Sequence, residues 1–293
     1  MFEGFQERRI ATSGAEIFLR TGGSGPPLLL LHGYPQTSTM WHRVAPLLAP
    51  HFTIVAADLR GYGRSSKPAS TPDHSPYSKR EMAKDMVEVM AALGHVRFFL
   101  AGHDRGGRVA HRLAMDHPDQ VIRLATLDIA PTREMYRNTG EDFARAYWHW
   151  FFLIQPAPFP EHMIEADPQA YWRKKCGSGS AGMSPFGDEA LAEYLACFAD
   201  PATIHASCED YRAAAGIDIA HDDADGDRRL TMPLLALWGE HGVIERCFDA
   251  LALWRQRAVD VSGDALPCGH YMAEELPEQV AGRLKTFFVE RDQ

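Results

Sequence analysis

Short, continuous apolar runs alternate with longer segments of helical periodicity along most of the chain. Buried strands are predicted over 27–31, 53–57, 98–101, 121–129 and 233–239, with a last, weaker strand over 258–261. Apolar residues at helical spacing predict helices over 79–93 and 277–288. Continuous apolar strands separated by helices are typical of a parallel sheet covered on both faces. The predicted fold class is therefore α/β.

The pattern changes in the middle of the chain. Residues 135–228 are rich in aromatic side chains, contain helical patches and show no clear strand. We therefore predict that residues 1–134 and 229–293 form the sheet core, and that 135–228 form an inserted helical cap. The glycine- and serine-rich stretch 177–182 is predicted to be a loop of this cap.

Composition narrows the classes of partner. The formal net charge is −9 over 293 residues, which argues against nucleic acid but not against a small anion bound in a local pocket. The N-terminal residues lack the apolar stretch of a signal peptide, and no apolar run is long enough to cross a bilayer. Five cysteines without a CxxC pair favour reduced thiols. We expect a cytoplasmic protein that does not interact with membranes.

The most informative segment is 98–108, where an apolar strand ends in a turn that contains Asp104 between Gly102 and Gly106. A strand, a sharp turn and a helix are the layout of a nucleophile elbow, which usually carries serine. A carboxylate is ionised at neutral pH, so it can attack a substrate without a general base. It can displace halide from a saturated carbon and form an ester on the enzyme. We predict that Asp104 is the nucleophile.

Hydrolysis of that ester requires a base and an acid that orients it. His270 follows Gly269 near the C-terminus, where the order nucleophile, acid, histidine places the base. The acid is either Asp128, at the end of the strand after the nucleophile helix, or one of the two acids after the strand 233–239, Glu240 and, further on, Glu245. Backbone N–H groups of Tyr34 and Arg105 are the natural donors to the oxyanion.

Two guanidinium groups accompany the nucleophile. Arg105 follows it directly, and Arg108 lies one helical turn further on. Guanidinium groups bind carboxylates by paired, charge-assisted hydrogen bonds. The pair predicts an acidic substrate, although an arginine can equally pair with a surface acid.

The chain resembles the α/β hydrolases and, more narrowly, the fluoroacetate dehalogenases. The motifs that carry the resemblance are 32–36, 58–63, 102–108, 147–150 and 269–270. It implies an α/β-hydrolase fold and a homodimer. It also implies a hydrolase that converts a haloacetate and water into glycolate and halide, without cofactor or metal. The implied substrate is a small halogenated anion, with fluoroacetate or chloroacetate the leading ones.

The same resemblance assigns roles to individual residues. It favours Asp128 over Glu240 as the acid, and it places His149, Trp150 and Tyr211 in a pocket that donates hydrogen bonds to halide. One position departs from the family, because Ser178 stands where fluoroacetate dehalogenases tend to have tryptophan. A smaller residue there enlarges the pocket, which leaves open a preference for larger 2-haloacids with weak defluorination.

Two further functions stay open at this point. An epoxide hydrolase uses the same covalent aspartate together with two cap tyrosines that donate to the epoxide oxygen. The tyrosines available are Tyr147, Tyr171, Tyr194 and Tyr211, but Arg105 argues against a neutral substrate. A non-enzymatic ligand-binding protein of the same fold is the other, although such proteins usually lack one member of the triad.

Overall fold

A single eight-stranded sheet organises the protein, which is described here by a computed structural model over residues 1–289. The spatial order of the strands is β1-β2-β4-β3-β5-β6-β7-β8. Their bounds are β1 Gln6–Ala11, β2 Glu16–Gly23, β3 Pro27–Leu31, β4 Thr53–Ala57, β5 Phe98–His103, β6 Val121–Leu127, β7 Leu234–Gly239 and β8 Val261–Leu266.

All pairings from β4 to β8 are parallel, which confirms the predicted α/β class. The apolar runs in β3, β4 and β5 are buried almost throughout, as expected for strands covered on both faces. The first two strands pair antiparallel at one edge and lie outside the sequence prediction. Five of the six residues of β1 are exposed, so this strand has no apolar run to reveal it.

Helices cover both faces of the sheet and fill the segment between β6 and β7. Before β6 they are α1 Ala45–Leu48, α2 Lys79–Ala92 and α3 Arg105–Asp116, with 3-10 turns at Ser38–Trp41 and Ser75–Tyr77. Between β6 and β7 they are α4 Thr132–Arg137, α5 Glu141–Ala146, α6 Trp148–Leu153, α7 Phe159–Glu165, α8 Pro168–Gly177, α9 Asp188–Phe198, α10 Pro201–Ala215 and α11 Ile217–Ala224. After β7 they are α12 Val243–Cys247, α13 Ala250–Arg255, α14 Met272–Glu275 and α15 Pro277–Val289.

Residues 135–228, all of which the structure describes, contain no strand, in line with the predicted helical cap. The exact division of the chain at 134/135 and 228/229 stays a prediction. None of the helices within residues 1–289 is long and apolar enough to cross a membrane.

Two strand predictions were wrong in their bounds. The strand predicted over 121–129 ends at Leu127, because Asp128 has φ +50° and leaves the sheet. The strand predicted over 258–261 lies at 261–266 instead, and Ala258 makes only an isolated bridge to Leu230. Half-exposed edge strands show alternation rather than an apolar run, and Gly263 and Asp264 obscure that signal in β8.

The carboxyl ends of β5, β6 and β7 lie at one edge of the sheet, since these strands run parallel to one another. Loops at that edge form the crevice where open α/β sheets bind ligands. Asp104 follows β5 and Asp128 follows β6, so the fold itself brings the two carboxylates to the same place.

Candidate active site

The turn that carries Asp104 is sharp and strained. Asp104 has φ +46° and ψ −114°, a backbone conformation that residues other than glycine rarely adopt. The flanking glycines allow the close packing of this turn. A Cβ on Gly102 would lie 2.4 Å from the Gly106 carbonyl oxygen, and one on Gly106 would lie 2.4 Å from the His32 carbonyl oxygen. The predicted nucleophile elbow is therefore present in its geometry.

The carboxylate of Asp104 is buried and held from one side. The backbone N–H of Tyr34 donates to its Oδ1 at 2.9 Å, and His270 Nε2 lies 4.0 Å from its Oδ2. Burial raises the pKa of Asp104, but His270, His103 and Arg108 lower it, and the net pKa is well below the ordinary value. The carboxylate is thus ionised and leaves one oxygen free of backbone hydrogen bonds.

His270 is oriented by Asp128. Its Nδ1 lies 2.5 Å from Asp128 Oδ2, while the other carboxylate oxygen accepts the backbone N–H of Gly239 at 2.9 Å. Glu240 is exposed and makes no such contact within residues 1–289. Glu245 accepts a hydrogen bond from Trp238 Nε1 instead, so of the acids left open by position in the chain the structure brings Asp128 to the histidine.

Arg105 is fully buried and reaches away from solvent toward α10. Its Nε and Nη2 donate to the carboxylate of Asp210 at 2.9 and 2.6 Å, and its guanidinium lies over the Tyr211 ring at 4.1 Å. Within the described residues, Nη1 is buried without a hydrogen-bond partner. One edge of this guanidinium is paired, and one nitrogen remains for a ligand.

Arg108 is also buried, but neutral groups surround it. Its Nη1 donates to the Ala130 carbonyl at 3.2 Å and to Thr132 Oγ1 at 2.9 Å, and its guanidinium lies 4.6 Å from the centre of the Trp150 ring. Burial lowers the pKa of Arg108, and the charge of Asp104 raises it in part. Within residues 1–289, Arg108 forms no ion pair. The alternative that this arginine pairs with a surface acid is therefore not supported.

The cap contributes polar groups that lack partners. Among the described residues, His149 Nδ1, Trp150 Nε1 and the Tyr211 hydroxyl are all buried without a hydrogen bond. The rings of His149 and Trp150 lie 5.8 and 6.4 Å from that of Tyr211. Burial and Lys175 hold the pKa of His149 well below its usual range, and burial raises that of Tyr211. These groups are therefore neutral, and because unsatisfied buried donors are rare, they indicate a ligand site.

Three residues near this site were missed by sequence reasoning: Asp210, Lys79 and Lys175. Asp210 pairs with Arg105 and with Lys79, which reaches it from α2. Lys175 donates to the hydroxyl of Tyr271, the residue after His270, at 3.2 Å. These three residues stand out only because they are charged and buried. A single sequence does not show which residues are buried.

A cavity of about 490 Å³ lies between the cap and the core. His149, His270 and Ser178 are among its lining residues, whereas Asp104, Arg105 and Arg108 are not. Four cationic side chains line it and no described acid does; they are Arg145, Lys174, Lys175 and Arg246. The approach to the site is thus positive, in a chain with a net charge of −9.

This geometry agrees with the comparisons with known proteins. The sequence model of the family described as alpha/beta hydrolase fold matches residues 26–257. The chain belongs to the α/β-hydrolase family. The eight-stranded sheet and the elbow after β5 are thus the family's architecture.

Within the α/β hydrolases, a fluoroacetate dehalogenase of Burkholderia sp. is 48% identical over 98% of this chain and 95% of its own length. A soluble epoxide hydrolase of Corynebacterium sp. (strain C12) is 34% identical, with 94% of each chain covered. A solved structure from Nostoc sp. PCC 7120, described as an α/β hydrolase, is 56% identical with a TM-score of 0.96, covering 99% of this chain and 100% of that one. The predicted resemblance to the fluoroacetate dehalogenases is confirmed.

Proposed function

We propose that this protein is a hydrolase of carbon–halide bonds that converts haloacetates and water into glycolate and halide. The observation that carries the proposal is the arrangement around Asp104. An ionised carboxylate lies beside two buried guanidinium groups and near three buried cap groups that have no hydrogen-bond partner within residues 1–289. The 48% identical fluoroacetate dehalogenase supports the same assignment.

In the first step, Asp104 attacks the carbon that carries the halogen. The Tyr34 N–H occupies Oδ1, which leaves Oδ2 as the attacking oxygen. A carbon–oxygen bond forms while the carbon–halogen bond breaks, and the halide leaves with the electron pair. Arg105 and Arg108 hold the substrate carboxylate, so the carbon is aligned with the nucleophile.

The leaving halide accepts hydrogen bonds from the cap. Fluoride leaves poorly unless donors stabilise its developing charge. His149, Trp150 and Tyr211 each offer one buried donor. All three side chains are neutral and have no partner at that atom within residues 1–289, so the donors can bind the halide. These side chains are the proposed halide-binding residues.

In the second step, water cleaves the ester. His270 Nε2 takes a proton from the water as its oxygen attacks the Asp104 carbonyl carbon, and Asp128 stabilises the imidazolium that forms. The Tyr34 N–H, and that of Arg105 beside the nucleophile, donate to the resulting oxyanion. The intermediate then expels glycolate, whose oxygen receives the proton from His270. Asp104 is left as a carboxylic acid that carries the oxygen of water, and it releases the second water proton to solvent to become a carboxylate again.

A substrate panel tests this proposal. Purified protein is incubated with fluoroacetate, chloroacetate, 2-chloropropionate and styrene oxide, and halide and diol are measured. Halide release from the haloacetates, lost in Asp104→Asn, is the expected result. Diol formation alone would instead support an epoxide hydrolase, and no product from any substrate would support a non-enzymatic binding protein.

Epoxide hydrolysis is the second candidate, and one observation favours it. The hydroxyls of Tyr147 and Tyr211 are both buried without a partner in the described chain, as two donors to an epoxide oxygen would be. Tyr194 does not fit this role, because its hydroxyl donates to Glu274, whereas the Tyr171 hydroxyl accepts from that of Tyr34. Two buried cations beside the nucleophile favour the acidic substrate over this neutral one.

A cytoplasmic location and a homodimer complete the proposal. All five cysteines are free, and three of them are buried, which suits a reducing compartment. The homodimer rests on the family resemblance, and light scattering of the purified protein tests it.

A further inference from the structure

Arg105 can offer only part of its guanidinium to a substrate. Nε and Nη2 point at Asp210, and Nη2 also donates to the Asp210 carbonyl at 2.9 Å. The buried Nη1 is the nitrogen without a partner. A carboxylate that binds here therefore receives one hydrogen bond from Arg105, on the side that Asp210 leaves open.

The pairing with Asp210 fixes this orientation but also cancels the charge that attracts the substrate. Asp210 is fully buried, so no solvent screens it from Arg105. Burial raises the pKa of Asp210, but Arg105 and Lys79 lower it to about 2, so the group is anionic. With Arg105 alone it would form a neutral pair, which attracts an anion weakly.

Lys79 offsets this cancellation. Its ammonium group contacts Asp210 Oδ1, the oxygen that also accepts from Arg105 Nη2, and only 3% of its side chain is exposed. Behind it, Asp218 Oδ2 lies 3.4 Å from the Lys79 ammonium. The order of charges leading away from the site is Arg105, Asp210, Lys79 and Asp218, alternating in sign.

We infer that Asp210 and Lys79 are positioning residues for carboxylate binding. Asp210 turns Nη1 of Arg105 toward the site, and Lys79 neutralises Asp210 so that the Arg105 charge remains available to the substrate. This relay of charge from Lys79 through Asp210 to Arg105 rests on the proposed function, because that function makes the substrate carboxylate the ligand of Arg105. Within residues 1–289, the Lys79 ammonium forms ion pairs with Asp210 and Asp218 and none with Asp104, so its effect on Arg105 passes through Asp210.

The test replaces Lys79 by methionine, which has a similar length and no charge. The KM for chloroacetate should rise about fivefold or more, with kcat changed less than about twofold, because the charge acts on binding rather than on the reacting atoms. Lys79→Arg should restore the wild-type KM. Asp218→Asn, which removes the anion behind Lys79 and keeps its oxygen, should leave KM unchanged or lower it.

Binding of unreactive ligands separates charge from a loosened fold. By calorimetry, Lys79→Met should weaken acetate binding and leave acetamide binding unchanged, at temperatures below the melting transition of each variant. In an Arg105→Met background, Lys79→Met should have no further effect on acetate. An unchanged KM and acetate affinity in Lys79→Met would overturn the relay. So would an equal loss for acetate and acetamide, or a raised KM in Asp218→Asn.

The two proposals fail in different ways. If the wild type releases no halide, the proposed function is wrong, while the acetate titrations still decide the relay. If the wild type releases halide and Lys79→Met binds acetate as the wild type does, only the relay is wrong. Should Lys79→Met not fold, Lys79→Gln removes the same positive charge. Asp218→Asn removes a negative charge and provides the opposite change.

Discussion

The two walls of the site differ in how their polar groups are satisfied. On the core side, Asp104 and Asp128 accept backbone hydrogen bonds, and His270 is bonded to Asp128. On the cap side, His149 Nδ1, Trp150 Nε1 and the Tyr211 hydroxyl have no partner in the described chain. The nucleophile, acid and base proposed on the core wall are thus fixed by hydrogen bonds, whereas the neutral cap groups, like Arg105 Nη1 and Arg108 Nε beside the nucleophile, have no partner within residues 1–289.

This difference separates two tasks. Attack and ester hydrolysis need groups held in one geometry before the substrate arrives, and fixed hydrogen bonds provide that. Stabilising a leaving halide needs donors that are free until the charge develops. Changes on the core side should therefore affect every substrate, and changes on the cap side should depend on the halogen.

The largest expected effect is on the core side. Asp128→Asn should slow ester hydrolysis by about 10³-fold or more, because His270 loses the charge that stabilises its protonated form, while alkylation changes far less. Rapid-quench measurement of the halide burst against steady-state turnover checks this. Glu240→Gln is the matched control, since Glu240 is exposed and makes no contact with His270. Full turnover in Asp128→Asn together with loss in Glu240→Gln would refute the assignment of the acid.

Removing one cap donor should separate the halogens. Trp150→Phe keeps the ring packing and should lower kcat for fluoroacetate by about 10²-fold, because fluoride depends most on donated hydrogen bonds. The loss for chloroacetate should be smaller, about tenfold at most. Halide electrodes measure both rates, with Trp148→Phe as the control. Equal losses for the two halogens would remove Trp150 from the halide pocket.

The arginines should affect binding more than the chemical step. Arg105→Lys and Arg108→Lys should each raise the KM for haloacetate about tenfold, because an ammonium group cannot reproduce the guanidinium geometry. The control is Arg145→Lys, since Arg145 lies at the outer cavity and pairs with Glu141. An unchanged KM in both site variants would remove carboxylate binding from the account.

Ser178 should tune the size of the substrate. Its side chain is exposed at the cavity wall, and Ser178→Trp fills space there. The ratio of kcat/KM for 2-chloropropionate to that for chloroacetate should fall about tenfold, because a methyl group then clashes. Ser184→Trp, at an exposed position of the same loop region, controls for the added tryptophan. An unchanged ratio would mean that the cavity wall at 178 does not select by size.

The smallest expected effect is that of pH on the first step. The lowered pKa of Asp104 keeps the carboxylate ionised, so alkylation should be flat above about pH 5. Single-turnover halide release across pH measures the first step alone. A burst rate that falls between pH 8 and about pH 5 would show that Asp104 titrates in this range.

The residues of the core wall could be predicted from the sequence to a larger extent than those of the cap wall, for a physical reason. The elbow is local, so Gly102, Asp104 and Gly106 within one short segment predicted it, and apolar runs predicted the parallel strands that carry it. The cap donors were predicted from the family resemblance alone, since an aromatic cluster on a helix is also expected where a cap packs on a sheet. Asp210 escaped notice because its partners Arg105 and Lys79 lie 105 and 131 residues away in sequence. The strand β1 has no apolar run, and the apolar run of β2 is only three residues long, over 17–19.

The central claim is that Asp104 becomes an ester during the reaction. The most direct measurement is mass spectrometry of His270→Asn after incubation with fluoroacetate, because that variant can alkylate but lacks the base for hydrolysis. We predict one carboxymethyl group per chain, located on the peptide that contains Asp104 and absent in the Asp104→Asn double variant. Stoichiometric fluoride release with no covalent adduct, or an adduct on another residue, would contradict the account.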